Sequence, residues 1–128
     1  MGMEPFAVQM ESNLLKAISH PARLHILTLL KGEEACVCHI QAVVGLRQAA
    51  VSQHLMELRR SHLIASRREG SRIYYRVDDP HLSAILQDLQ ALALAQARKG
   101  RLQTKLRLNP RRGRCKCPKC TKPGAQAI

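Results

Sequence analysis

The sequence predicts a mainly α-helical domain with one small β-hairpin, an α+β fold, over residues 1–97, followed by a basic tail over residues 98–128. Apolar residues recur at helical spacing through most of the first part, and the spacing changes to alternation only over residues 63–77. Charge changes at the boundary, because residues 1–97 hold ten Lys and Arg against nine Asp and Glu, whereas the tail holds eleven Lys and Arg and no acid. Such a tail favours contact with a polyanion and is also typical of a solvated extension.

Two helices are predicted before residue 33. The first extends from near Glu4 to Ile18, where apolar residues repeat at helical spacing. The second begins at Pro21, since proline suits the first turn of a helix, and it ends at Gly32.

A third and a fourth helix follow, separated by a very short turn. The third covers residues 35–44 and ends at Gly45, and the fourth covers residues 47–61. In the fourth helix three apolar residues lie at i, i+4 and i+7 and predict one buried stripe: Val51, Leu55 and Leu58. Polar side chains on the other faces of this helix are then left for contacts with a partner.

Residues 63–77 predict two strands joined at Gly70. Strict alternation assigns Ile73, Tyr75 and Val77 to one face, and it assigns Arg72, Tyr74 and Arg76 to the other. The hairpin is therefore expected to have a basic outer face.

A last long helix is predicted after Asp78-Asp79-Pro80, which supplies its N-terminal cap. It carries an almost continuous apolar seam formed by Leu82, Ile85, Leu86, Leu89, Leu92 and Ala93. A seam of this kind on a terminal helix requires a partner surface. We expect the first and last helices to pair across a two-fold axis in a homodimer.

A helix, a tight turn, a second helix and a basic hairpin in this order form the layout of a winged helix-turn-helix, whose second helix enters the major groove of DNA. Glutamine pairs bidentately with adenine, and arginine neutralises phosphates. The residues that we expect to contact double-stranded DNA are Arg47, Gln48, Ala49, Ser52, Gln53, His54, Arg67, Arg68 and Arg72.

Three sequence segments together resemble the ArsR/SmtB family of bacterial metal-sensing repressors: HPARLHIL from residue 20, ACVCHI from residue 35, and AVSQHLMELRRSHLIASRREGSRIYYRV from residue 50. The resemblance implies a homodimer that binds an inverted-repeat operator and releases it when an inducer binds. The sequence departs from the family at Arg47, where the family often has a serine cap. Losing that cap costs on the order of 1 kcal/mol unless Arg47 instead contacts phosphate.

The chain has five cysteines, which in a reducing compartment indicate metal or redox chemistry rather than structural disulfides. Cys36 and Cys38 stand where similar proteins of the family carry a Cys-Val-Cys pair of metal ligands. On a regular helix, residues i and i+2 diverge by about 200°, so both thiols can hold one ion only if the first turn is irregular. The alternative is that Cys36 is a small core residue, since it shares a helical face with Ile40 and Val43.

Two thiolates rarely complete a metal site, and the other cysteines are Cys115, Cys117 and Cys120 in the tail. These three are expected either to join Cys36 and Cys38 or to form a separate site. By family analogy the expected inducer is trivalent arsenic or antimony bound by three sulfurs, ahead of cadmium, lead or zinc, which take three or four ligands. No cofactor is expected to be needed for DNA binding.

Other functional classes fit the sequence less well. There is no apolar run of about 18 residues for a membrane span and no signal peptide at the N-terminus, so a cytoplasmic location is expected. Neither a nucleophile motif nor a glycine-rich phosphate loop indicates an enzyme. Two alternatives remain: a repressor of the same fold that senses oxidants or reactive sulfur through its thiols, and a zinc-bound adaptor whose tail contacts RNA or another protein.

Overall fold

The computed structural model describes residues 5–100, which form five helices and a three-stranded antiparallel sheet. The elements in chain order are α1 (Pro5–Ile18), α2 (Pro21–Gly32), β1 (Ala35–Cys36), α3 (Val37–Val44), α4 (Gln48–Arg60), β2 (Ala65–Glu69), β3 (Arg72–Arg76) and α5 (Pro80–Gly100). The predicted mainly helical fold with a small hairpin is confirmed. The predicted boundary at residue 97 falls three residues before the end of α5.

The helices begin and end where the local sequence predicts. Pro21 opens α2, and the Nδ1 atom of His20 caps it by accepting a hydrogen bond of 3.1 Å from the backbone N–H of Ala22. Gly45 ends α3 with a φ of 76°, a left-handed conformation that glycine adopts without strain. At the start of α5, Asp79 Oδ1 accepts a hydrogen bond of 2.8 Å from the backbone N–H of His81.

The prediction that residues 35 and 36 open the third helix is wrong. They form β1, which pairs with β3 so that Ala35 lies opposite Tyr75 and Cys36 lies opposite Tyr74. The strand order is β1-β3-β2, so β3 lies in the middle of the sheet. A strand of two residues is too short for alternation to mark it, and its extended backbone depends on a partner almost 40 residues away in the chain.

The core lies between the helices and the inner face of the sheet. The predicted stripe of α4 is confirmed, because each of its three residues is at most 1% exposed. The main cluster of buried residues contains Ile18, Ile26, Leu27, Leu30, Ala35, Ile40, Val51, Leu55, Leu58, Leu63, Ile64, Tyr75, Val77, Leu82 and Leu86.

The predicted alternation of β3 is only partly confirmed. Tyr75 and Val77 are buried in the main core as expected. However, Tyr74, which was expected on the outer face, is only 4% exposed, whereas Ile73 is 41% exposed. Tyr74 is buried because β1 pairs beside it and it packs in a second cluster with Cys36. The sheet is therefore covered on both faces at this point, and a single inside–outside pattern does not describe it.

The apolar seam predicted along α5 is partly buried in the core and partly exposed in the single chain. Leu82 and Leu86 are buried in the core. Other large apolar side chains of α1 and α5 are exposed, namely Phe6, Val8, Met10, Leu14, Leu15, Ile85, Leu89, Leu92 and Leu94. We call these residues the α1/α5 surface, and exposed apolar residues concentrated on two helices are typical of a protein interaction site. Within residues 5–100, the structure contains no helix with the length and apolar character of a membrane span.

Candidate nucleic-acid interface and thiol cleft

The turn between α3 and α4 contains only residues 45–47, and it is possible because Gly45 adopts its left-handed conformation. With its apolar stripe buried, α4 exposes the remaining side of the helix. Four of the predicted DNA-contacting residues lie together there, and we call them the recognition face: Gln48, Ala49, Ser52 and Gln53. This side of a helix is the one that can enter a groove.

Met56 extends the recognition face by one turn, since it lies four residues after Ser52 and is half exposed. Together with Arg59, Arg60 and Tyr75 these two residues line a depression of about 370 Å³ between α4 and the sheet. Sequence reasoning did not single out Met56, because an apolar side chain carries no signal for nucleic-acid contact. The exposure of this apolar side chain on an otherwise amphipathic helix is the feature that indicates a contact with a partner.

Arg47 is the N-cap residue of α4 and has an extended backbone, with φ −68° and ψ 151°. Its side chain makes no capping hydrogen bond to the part of the chain that the structure describes. The side chain is exposed beside the recognition face. This arrangement leaves the guanidinium available to a phosphate.

His54 belongs to the predicted DNA-contacting set, but the structure turns it toward α2. Arg23 Nε donates a hydrogen bond of 3.3 Å to His54 Nδ1, and the rings of His54 and His20 lie 4.5 Å apart between centroids. Because arginine is always protonated, His54 Nδ1 must be an acceptor, which leaves the proton of the neutral ring on Nε2. Burial lowers the pKa of His54 below its ordinary value of 6.5, and the charges of His20 and Arg23 lower it further.

Substituting His54→Gln is expected to make the stability of the protein less sensitive to acid. Because the pKa of His54 is lower in the folded chain, the unfolded chain binds more protons. The contribution of His54 to stability is therefore complete above the unfolded pKa of 6.5 and is lost as pH falls through the folded pKa. Glutamine keeps an acceptor for Arg23 but does not titrate.

The measured quantity is the urea concentration at which half of each protein is unfolded, determined at several values between pH 8 and pH 5. We expect the midpoint of wild type to fall more steeply than that of His54→Gln. The matched control is His81→Gln, which removes an exposed imidazole outside the His20–His54 pair. A His54→Gln profile parallel to that of wild type would contradict the prediction.

The wing consists of β2, β3 and the turn at Gly70, where φ is 62°. Arg68 is exposed, and its Nε donates a hydrogen bond of 3.3 Å to the carbonyl of Gly70. Arg72 is half-buried. Arg67 instead engages the carboxylates of Glu34 and Glu69. The three predicted wing arginines therefore have three different environments.

Cys36 and Cys38 line one cleft of about 420 Å³, which we call the thiol cleft. Cys36 is buried and Cys38 is half-buried, and the two do not form a disulfide with each other. Cys36 precedes α3 with an extended backbone, φ −85° and ψ 167°, so the divergence expected of two residues on a regular helix does not apply to this pair. The irregular start of the helix, which a shared ligand requires, is present in the structure.

The thiol cleft also contains residues of the predicted DNA interface. Its walls are formed by Cys36, Val37, Cys38, Gln41, Gln48, Ser71, Arg72 and Ile73. Gln48 is the first residue of α4, and Ser71 and Arg72 belong to the wing. The two thiols therefore adjoin both elements that a winged helix-turn-helix uses to contact DNA.

Within the described part of the chain, Cys36 and Cys38 are the thiols that line this cleft. Among residues 5–100 there is no group of three His, Cys, Asp or Glu side chains placed to hold a metal ion. His39, the neighbour of Cys38, has its Nε2 3.1 Å from a carboxylate oxygen of Glu33. The tail cysteines predicted as ligands, Cys115, Cys117 and Cys120, lie outside the described residues.

Comparison with known proteins gives consistent matches. The family model for bacterial regulatory proteins of the arsR family matches residues 20–66, which include α2, α3 and α4. The HTH-type transcriptional regulator YgaV of Escherichia coli strain K12 is 40% identical over 78 residues, which are 60% of this chain and 79% of YgaV. This family and YgaV are described as regulators, not as enzymes.

Two solved structures resemble the chain over most of its described part. The transcriptional repressor BigR from Xylella fastidiosa has a TM-score of 0.65 and 30% identity, over 72% of this chain and 96% of BigR. Reduced HlyU from Vibrio cholerae N16961 has a TM-score of 0.63 and 33% identity, over 66% of this chain and 90% of HlyU. These TM-scores indicate that both structures share the winged-helix fold of this chain.

Proposed function

The chain belongs to the arsR family of bacterial regulatory proteins, and we propose that it is a DNA-binding transcriptional repressor that releases its operator when a thiophilic ion binds to Cys36 and Cys38. One observation carries this proposal: the thiols share their cleft with Gln48 and Arg72 of the DNA interface. A ligand held by the thiols therefore lies beside the residues that hold DNA. As a regulator of bacterial transcription, the protein acts in the cytoplasm.

The recognition face supplies the base contacts. Exposed Gln48 and Gln53 are proposed to pair bidentately with adenine, and exposed Ser52 is proposed to accept or donate a single hydrogen bond. Ala49 presents a methyl group that can contact the methyl of thymine. The phosphate contacts come from Arg47 at the start of α4 and from the wing.

The α1/α5 surface supplies the dimer interface. Its exposed apolar side chains, which include Phe6 and Leu92, are buried if two copies pack across a two-fold axis. The axis then relates two copies of α4, which contact two half-sites about one helical turn of DNA apart. An inverted-repeat operator follows from this symmetry.

The inducer is proposed to be trivalent arsenic or antimony, followed by cadmium, lead or zinc. All of these ions bind thiolates, and by analogy with the family arsenic takes three sulfurs, one more than the described residues of the thiol cleft supply. A tail cysteine, Cys115, Cys117 or Cys120, is proposed to complete the site. Binding would draw Cys36 and Cys38 together at the start of α3 and displace the adjoining Gln48.

Adding arsenite is expected to weaken operator binding at least about tenfold in wild type, a typical allosteric coupling, and to have no effect on the double variant Cys36→Ser/Cys38→Ser. Fluorescence anisotropy of labelled operator DNA measures the release, and sulfur-to-metal charge-transfer absorption measures the binding of the ion. Antimonite, cadmium, lead and zinc are tested in the same way. A double variant that still releases DNA would show that these thiols are not the sensor.

A shortened chain ending at Leu108 tests the tail separately, because it keeps all described residues and lacks three of the cysteines. If a tail thiol is a ligand, we expect this chain to bind arsenite more weakly than wild type. The recognition face is intact in it, so we expect the shortened chain still to bind operator DNA. Unchanged arsenite affinity would exclude the tail from the site.

A thiol redox switch is the second candidate function. It is favoured by the absence of a third clustered ligand among residues 5–100, since oxidation requires only the thiols themselves. One of the similar structures is of reduced HlyU. In metal-free buffer, release of the operator by a peroxide or polysulfide, reversed by dithiothreitol, would favour this switch over ion binding.

A further inference from the structure

We propose that Arg67 is a positioning residue that links the wing to the thiol cleft, and that it does not contact phosphate. This inference rests on the proposed function, because it describes how occupancy of the thiol cleft reaches the wing. The group formed by Arg67, Glu34, Glu69 and Tyr74 is called the Arg67 bridge.

The Arg67 bridge spans the whole sheet. Arg67 lies in β2, and its Nε and one Nη donate hydrogen bonds of 2.7 and 2.6 Å to the two carboxylate oxygens of Glu34, just before β1. Its other Nη donates a hydrogen bond of 2.9 Å to Glu69, at the end of β2. The guanidinium carbon lies 4.9 Å from the centroid of the Tyr74 ring in β3. One side chain therefore connects the edge strand β2 to both other strands.

This environment disfavours a phosphate contact by Arg67. Three of its five N–H groups, one on each nitrogen, already donate to the carboxylates of Glu34 and Glu69. Two carboxylates and one guanidinium carry a net charge of −1, which repels a phosphate. The bidentate pairing with Glu34 is also the arrangement in which arginine binds a carboxylate most strongly.

The Arg67 bridge adjoins the thiols through Tyr74. Tyr74 is buried in a cluster with Cys36, and Cys38 and Ala42 pack against that cluster. Cys36 also lies opposite Tyr74 in the pairing of β1 with β3. The Tyr74 ring therefore has a thiol as one neighbour and the Arg67 guanidinium as another.

A mechanical consequence follows from this packing. An ion bound to Cys36 and Cys38 changes the positions of both sulfurs, and a close-packed ring beside them must shift with them. Arg67 of β2 stacks on the Tyr74 ring and forms an ion pair with Glu34. A shift of the ring or of β1 is therefore transmitted to β2. The wing then moves relative to α4, and the two elements no longer fit the same DNA.

The experiment compares Arg67→Gln with Arg68→Gln in the full chain. Arg68 is the matched control, since it is the next residue of β2 and its Nε donates to the carbonyl of Gly70 in the wing turn rather than to a carboxylate. Operator affinity is measured at several salt concentrations, with and without arsenite. Arsenite binding is followed by charge-transfer absorption, and folding of each variant is verified by thermal unfolding.

A lost phosphate contact in each protomer lowers the slope of log Kd against log salt by about 2 in a dimer. We expect this decrease for Arg68→Gln and no decrease for Arg67→Gln. We also expect Arg67→Gln to bind arsenite. Arsenite should then weaken its operator binding by less than about threefold, whereas it should weaken that of wild type and of Arg68→Gln by at least about tenfold.

A second variant, Glu34→Gln, keeps Arg67 and weakens the bridge from the other side. It is expected to reduce the arsenite response as Arg67→Gln does, and its salt slope should not decrease. The proposal is overturned if Arg67→Gln lowers the salt slope by about 2, or if Arg67→Gln or Glu34→Gln retains the full arsenite response. The salt slope is measured without inducer. If wild type does not respond to arsenite, the proposed sensing is contradicted, but the slope still shows whether Arg67 contacts phosphate.

Discussion

Substituting Leu92→Glu on α5 is expected to convert the proposed dimer into monomers and to weaken operator binding by about 10²–10⁴-fold. Leu92 is 56% exposed on the α1/α5 surface, so a glutamate there does not disturb the core of a single chain. In the dimer it places like charges in an apolar interface, where an unpaired carboxylate is strongly disfavoured. The size of the loss in affinity follows from separating two linked binding modules, which removes the effective concentration of the second one.

Sedimentation velocity measures the oligomeric state, and anisotropy of the labelled operator measures the affinity. Gln90→Glu is the matched control, because it introduces the same charge at an exposed polar position two residues earlier in α5. We expect Gln90→Glu to remain dimeric. A dimeric Leu92→Glu with wild-type affinity would place the interface on another surface.

Substituting Leu58→Ala is expected to lower the free energy of unfolding by about 2–5 kcal/mol, the range for removing a leucine from a packed core. Leu58 is fully buried at the end of the stripe that attaches α4 to the rest of the domain. A loss of this size is a large part of the 5–15 kcal/mol that typically stabilises a domain. Operator binding falls as well at 37 °C, since the recognition face is formed only when α4 is packed.

Urea denaturation at one fixed protein concentration measures the change, because a dimer becomes more stable as its concentration rises. The control is Met56→Ala in the same helix. Met56 is 50% exposed, so the same truncation creates no cavity and is expected to cost less than about 1 kcal/mol. Similar losses in the two variants would show that the packing of α4 does not depend on its apolar stripe.

The fold was predictable where it depends on neighbours along the chain. Helix periodicity, the Pro21 start of α2, the Gly45 end of α3 and the Asp79 cap of α5 all arise from contacts within a few residues, and all are present in the structure. Strand β1 was not predictable from the same signals. Its extended conformation is selected by pairing with β3, and the burial of Tyr74 follows from that pairing.

The candidate site, like the fold, was predictable only where it depends on neighbours along the chain. Residue type and helix periodicity were sufficient to place Gln48, Ala49, Ser52 and Gln53 on one exposed face. They were not sufficient for His54 and Arg67, whose partners Arg23 and Glu34 lie 31 and 33 residues away in the sequence. A basic or polar side chain on a predicted DNA-binding element therefore needs its tertiary partners to be known before it is assigned to DNA.

The amino-acid sequence by itself determined the order of the helices and the hairpin, the buried stripe of α4 and the two thiols of the Cys36-Val37-Cys38 segment. These features depend on local periodicity, on capping and on residue identity. Only the tertiary structure decided that the thiols share a cleft with Gln48 and Arg72, and that Arg67 joins the wing to β1. The physical reason is that both arrangements depend on the pairing of β1 with β3, a contact between distant segments that no local pattern encodes.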